Sequence, residues 1–240
     1  LCLMGDLIEC ITIDDSRFSW DQSRIHTIRA QRDYAISRIE PVKQYLRILL
    51  RGNHEHRVAG NYGDISAELA SLLRCDYGGY VCVVECVSRR RGRLLFRLFL
   101  HHGFGRLTSN AKDSVQRRAN MMAALRQRLQ HLFAGAVVMA MGHTHQLLVV
   151  PPDQTLQVGA RGGELHAYYR GRDSEAGVAQ DAALVPPDDR WYLNTGSFLR
   201  TYIDGGDGYA EMRGLPPVEI GYCVVRVRGG RVRDVERVVV

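Results

Sequence analysis

Apolar residues in this chain fall into short runs, and nearly every run stops at a glycine set beside a polar side chain. Residues 1–4, 45–50, 94–100 and 136–141 are runs of this kind and read as hydrophobic strands. The polar sequence between the first two has a different period. Ile25, Ile28, Tyr34, Ala35 and Ile39 recur near helical spacing over 21–39, with Pro41 just beyond, which predicts a surface helix joining two parallel strands. A second helix is expected over 65–73 and a long amphipathic one over 113–133, ahead of the fourth strand. The Met121-Met122 pair of that helix reads as core packing. Residues 80–87 and 94–100 make a hairpin-like pair.

The texture changes after His145. Residues 146–150, 190–193 and 221–227 are short β-rich runs, and 231–240 make a closing strand after the Gly229-Gly230 turn. The stretch 151–189 is rich in Gly, Asp and Pro, with Tyr168 and Tyr169 near its middle; a substrate-facing insertion and variable surface account for it equally well. There is no internal repeat or low-complexity tract. At 240 residues the chain is expected to form one domain, residues 1–240, with that insertion at 151–189.

The glycines that close the strands stand next to metal-binding side chains. The motifs are Gly5-Asp6, Gly52-Asn53-His54-Glu55, His101-His102-Gly103 and Gly142-His143-Thr144-His145. From Asp6 to Asn53, to His102, to His143 the gaps are 47, 49 and 41 residues, so only a fold could bring these groups together. The carboxyl ends of adjacent strands, where each motif falls, are where open α/β sheets place their sites. A carboxylate, an amide oxygen and imidazoles converging there outline a two-metal hydrolase site. Taken singly, Asp6 as a helix cap, Asn53 as a turn residue and each His as a polar strand end are the simpler accounts. The ordered set is what favours a site.

That ordered set resembles the calcineurin-like metallophosphoesterases, in the form found in bacteria and their phages. The family runs Asp-x-His, Gly-Asp-x-x-Asp, Gly-Asn-His-Asp/Glu, a His before Gly, and Gly-His-x-His; this chain has the last four blocks in order. Asn194-Thr195-Gly196-Ser197 is similar to the Asn-x-Gly-Ser turn that often follows. The resemblance implies an α/β fold, a two-sheet β-sandwich flanked by helices (αββα). It also implies two divalent ions, manganese first, with iron, zinc or nickel as alternatives. Asp6 would bridge them, Asn53, His102 and His143 would complete one shell, and His145 would serve the other ion. His54 would act at the leaving-group oxygen, and Glu9 and Glu55 would orient the ligands. His56 and Arg57 are candidates for substrate phosphate, or an exposed loop pair. His101 is read as a neighbour because side chains alternate along a strand.

The first block is absent: no Asp is followed two residues later by His. The chain also opens at Leu1, directly in the strand before Gly5-Asp6, so an upstream strand-and-helix unit is expected to be missing. Glu9-Cys10-Ile11 stands where the phosphoprotein phosphatases carry Asp-Arg-Gly, and Gly-His-Thr-His is closer to the phosphodiesterase and nuclease branches. The expected activity is hydrolysis of a phosphodiester or phosphomonoester. The other readings are a noncatalytic binding module of the same fold, or an inactive fragment of the enzyme.

Composition narrows the partners. A net charge of +6, mostly arginine and clustered at 89–93, 117–118 and 126–128, favours a nucleotide or nucleic-acid phosphate ester as substrate. The first cluster also fits a solvated hairpin tip. With 45% hydrophobic and 24% charged residues and no apolar run long enough to span a bilayer, no membrane partner is expected. Six cysteines without Cys-x-x-Cys spacing read as buried free thiols in a cytoplasmic protein.

Overall fold

The computed structural model describes residues 1–15, 18, 20, 25–169, 179–202, 211, 214 and 216–240. Three short strands, Cys2–Leu3 (β1), Ile48–Leu49 (β2) and Asp76–Tyr77 (β3), form a parallel sheet in that order. The larger sheet contains Val81–Val87 (β4), Leu94–His101 (β5), Val138–Met141 (β6), Leu147–Val150 (β7) and Trp191–Thr195 (β10). Its order is β4-β5-β6-β10-β7, with a parallel centre of β5, β6 and β10 and antiparallel edges. Two hairpins complete the strands: Leu156–Arg161 (β8) with Glu164–Tyr169 (β9), and Gly221–Arg228 (β11) with Arg231–Val239 (β12).

The period of two along each strand decides which residues meet. Ile48 and Leu50 point inward against Phe96, Leu100, Val138, Ala140 and Leu193 of the larger sheet, and β12 adds Val232 and Val235 to this inner core. Leu49, between Ile48 and Leu50, points outward to Ile65, Leu69 and Ala70 of helix α3 (Ile65–Leu73) and Ile28 of α1 (Ile28–Ile39). On the other side, Phe99, Met139, Met141 and Leu148 pack against Leu125 and Leu129 of α4 (Ser114–Leu129). Helix, sheet, sheet, helix is the resulting order: an αββα sandwich. Each fully buried Leu, Ile or Phe contributes about 1.5–3 kcal/mol, so a one-residue register slip in β5 or β6 would exchange both layers at heavy cost.

Several boundaries differ from expectation. The first helix begins at Ile28 rather than near residue 21, because Thr27 is extended and its Oγ1 caps the Ala30 N–H at 3.2 Å; residues 21–24 lie outside the described set. The expected strand 45–50 shortens to β2 because Pro41 opens a 3-10 helix, Glu40–Tyr45. An unexpected helix, Asn53–Tyr62 (α2), starts inside the Gly-Asn-His-Glu motif; Glu55 is its one buried residue, so it has no apolar period to read. The long helix ends at Leu129, earlier than expected, and Asp113 caps its start. Segment 151–189 contains the β8–β9 hairpin, which among the described residues pairs only with itself; the rest of the expectation at 170–178 lies outside them.

Arg89, Arg90, Arg91 and Arg93 are exposed around the β4–β5 turn, while Arg126 is engaged with Asp153 and Asp188. All six cysteines are free, with Cys2, Cys82, Cys86 and Cys223 against the inner core. Among the described residues no helix is long and apolar enough to cross a membrane.

Candidate metal centre

Strands from both sheets deliver their motifs to one edge of the sandwich. After β1 the chain turns through Gly5, at φ 92°, where a Cβ would stand 2.6 Å from Gly52 N and 2.7 Å from His102 Nδ1, so no larger residue fits. Asp6 follows at φ 53°. The loop is held from α2: Glu55 accepts from the Asp6, Leu7 and Ile8 N–H groups at 3.2, 2.6 and 3.4 Å, and the His54 N–H donates to Asp6 Oδ1 at 3.0 Å. Glu55 is buried, and burial pushes its carboxyl pKa up. Gly103, at φ 116°, makes the matching close approach after β5: a Cβ there would meet Gly142 O at 2.6 Å and His143 Cβ at 2.7 Å.

His102 is the buried centre of the cluster. Its Nδ1 lies 2.6 Å from Met4 O, a group that only accepts, so Nδ1 carries the proton and Nε2 presents a lone pair. That Nε2 accepts from the Asn53 N–H at 3.3 Å, yet it also lies 3.0 Å from Asn53 Oδ1 and 3.4 Å from Asp6 Oδ2. Asn53 Oδ1 is in turn 2.7 Å from His143 Nδ1. Two oxygens and Nε2 therefore meet at one point, which a second proton on His102 or a divalent cation between them would satisfy. The donor atoms of Asp6, His102 and His143 lie within 4.8 Å of one another, and the mixed carboxylate, amide and imidazole set fits a borderline divalent ion.

In the metal-free cluster Asp6 and His102 stabilise each other's charged forms, so a divalent ion would displace a proton from His102. Burial works to raise the Asp6 carboxyl, but the hydrogen bond and charge of His102, with the His54 N–H, outweigh it and hold Asp6 at about 2. Burial works to lower His102, and the Asp6 carboxylate reverses it, leaving His102 above its ordinary value. Burial lowers His143 and His145, which favours the neutral imidazole that a metal needs.

The remaining histidines and Arg57 take four positions around this group. His54 Nδ1 is 3.1 Å from Glu9 Oε2, next to Asp6 but outside the donor group. His145, at φ 55°, is within electrostatic reach of Asp6, Glu9 and His54 and also stands outside that group. His56 packs edge-on against Tyr80 at 5.4 Å, while Arg57 ties Asp15, at 2.8 Å, and Cys10 O, at 3.2 Å, to α2. His101 turns away, accepting from Gly103 N–H at 2.8 Å and facing Phe104. Two participants were not legible beforehand. The Met4 carbonyl is main chain and leaves no mark in sequence; the Thr144 hydroxyl is bonded by Asn194, whose signal was its place in the Asn-Thr-Gly-Ser turn.

No protein-family model matches this chain, and no curated protein matches it. A solved structure, wild-type Vps29 from Entamoeba histolytica complexed with Zn2+, is similar at 13% identity and a TM-score of 0.31, over 85% of this chain and 88% of that one. The sandwich is defined by the strand order of its two sheets and by the three apolar cores between its four layers. Fold and site together define an α/β sandwich with a donor set able to hold a divalent ion.

Proposed function

We propose that this chain is a metal-dependent phosphoesterase of the calcineurin-like type. The observation that carries the reading is the meeting of Asp6, Asn53, His102 and His143 from the ends of strands in both sheets, with their oxygen and nitrogen atoms converging. A divalent ion held there supplies positive charge to phosphoryl oxygens and acidifies water near neutral pH. Manganese is the first choice, with iron, zinc or nickel accepted by the same donors. Glu55 keeps Asp6 in place through the loop amides, and His54, whose Nδ1 lies 3.1 Å from the Glu9 carboxylate, passes a proton to the leaving oxygen. The exposed arginines at the β4–β5 turn and the charge of +6 support a nucleotide or nucleic-acid substrate. Six free cysteines fit a cytoplasmic setting.

Because His145 stands apart and no Asp-x-His occurs, one ion is expected to bind far more tightly than a second. The test uses metal-free protein titrated with Mn2+ and assayed on bis(p-nitrophenyl) phosphate and p-nitrophenyl phosphate. One tight ion, slow Mn2+-dependent turnover, and loss of both in Asn53→Ala and His143→Ala are expected. Tight binding with no turnover of either ester would overturn the enzyme and leave a noncatalytic metal-binding module, the reading that the missing Asp-x-His favours. Two equally tight ions would overturn the site assignment.

A further inference from the structure

The Gly142-His143-Thr144-His145 segment is held in an unfavourable backbone state. His143 has φ 67° and His145 φ 55°, both in the left-handed region that side-chain-bearing residues avoid. The Thr144 N–H donates to Gly142 O at 2.8 Å, closing a γ-turn around His143 with the positive central φ of the rare, strained form. Two such residues within three positions persist only where the surroundings over-determine them.

The restraint lies on the neighbouring strand. Asn194 of β10 is fully buried, and its backbone is paired with Met141 of β6 on one side and Leu148 of β7 on the other. It is therefore fixed between the strand that enters the turn and the strand that leaves it. Its Nδ2 donates to Thr144 Oγ1, and among the described residues its Oδ1 has no hydrogen-bond partner. The Thr144 hydroxyl is thus what holds this buried amide, and because a hydroxyl both donates and accepts, the bond survives either orientation of the amide. A half-satisfied amide in a core is a costly arrangement that apolar residues would avoid.

We propose that Asn194 is a positioning residue of the candidate metal centre: by clipping Thr144 Oγ1 it holds the strained His-Thr-His turn in the shape that brings the His143 ring to Asn53 Oδ1. This rests on the reading of His143 as a metal ligand, and groups that orient ligands through one intermediary commonly change affinity about 10- to 100-fold when removed.

Four variants decide it: Asn194→Ala, Thr144→Val, Thr144→Ser and the Asn194→Ala/Thr144→Val double. Mn2+ affinity is measured by calorimetry, and the metal-free proteins are compared by histidine-ring NMR and amide exchange. Thr144→Ser keeps the hydroxyl and is the variant least exposed to folding failure, while Thr144→Val alters a half-buried position rather than the fully buried Asn194. The expected result is a loss of about 10- to 100-fold in Mn2+ affinity for Thr144→Val and Asn194→Ala, with near wild-type binding in Thr144→Ser. The double variant should lose no more than either single one, because both remove the same link. In metal-free protein the His143 and His145 rings should shift and the Thr144 amide should exchange faster, a change that general loosening of the core would not confine to this turn. Unchanged rings and exchange, or losses that multiply in the double variant, would overturn the clip. If wild-type protein binds no Mn2+ while the ring and exchange effects appear, the clip stands and the metal reading falls.

Discussion

The loop after β1 keeps its shape through one carboxylate. Glu55 Oε1 takes the Leu7 and Ile8 N–H groups and Oε2 takes that of Asp6, so three amides are satisfied by a side chain 2% exposed. Glu55→Gln preserves size but sets an NH2 group against an amide that needs an acceptor. We expect about 1–3 kcal/mol of destabilisation in urea unfolding, together with weaker Mn2+ binding, because the positive φ of Asp6 depends on this loop. A Gln variant as stable as wild type, binding Mn2+ equally well, would show that the loop holds itself. Glu55, Asp6, Asn53, His102 and His143 could be picked out beforehand because their chemistry is in their side chains and their spacing beside glycines is local. The acceptor that sets the His102 tautomer could not, being a main-chain carbonyl 98 residues away. Nor could the bond between Asn194 and Thr144, which joins positions 50 apart and exists only once β10 has paired with β6.

Elements were legible where burial imposes a period and obscure where something else holds them. Ile48-Leu49-Leu50 and residues 94–100 serve a different layer on each face, and an apolar run is what such a strand must look like. Helix α2 is held through Glu55 and the site, so no apolar stripe announces it. The join between α4 and β10 was equally hidden. Arg190 reads in sequence as the polar start of a strand, but its guanidinium is buried and donates to Gln130 O at 3.0 Å, Phe133 O at 2.8 Å, Ala134 O at 3.0 Å and Val185 O at 2.7 Å. It gathers the end of α4 and the two segments leading into the parallel centre of the sheet. Arg190→Met would leave several buried carbonyls unpaired, and a loss of about 3 kcal/mol or more is expected in chemical unfolding. Lysine, with three donors and no planar fork, should recover only part of it. A Met variant within about 0.5 kcal/mol of wild type, the range of an ordinary surface change, would mean that the carbonyls find other donors.

For the molecule as a whole, the pairing of two sheets came from the resemblance, since the residues by themselves give strands but not which sheet each joins. The packed layers explain why: Ile48 and Leu49 are equally apolar, and only the assembled sandwich sends one inward and the other outward. Thiols give a test that spans the layers. Cys10 lies in the outer layer under α1 and α3, and burial pushes it from 9.0 to about 12, with the Glu55 charge adding to the effect. Cys82 and Cys223 lie against the inner core, and burial raises each from 9.0 to about 11. A group whose pKa is raised by folding keeps its full stabilising share below its unfolded pKa, near 9, and loses it as pH climbs through the folded value. Stability should therefore hold below about pH 9 and fall between there and pH 11 to 12, with each thiol that ionises on unfolding adding a slope of about 1.4 kcal/mol per pH unit. Burial also raises Tyr80 and Tyr192 above their ordinary value. The comparison that isolates the thiols is wild type against Cys10→Ala/Cys82→Ala/Cys223→Ala, unfolded in urea from pH 8 to 11. The triple variant should start less stable and lose stability more slowly as pH rises; parallel curves would mean that these thiols ionise as readily in the folded sandwich as in the open chain.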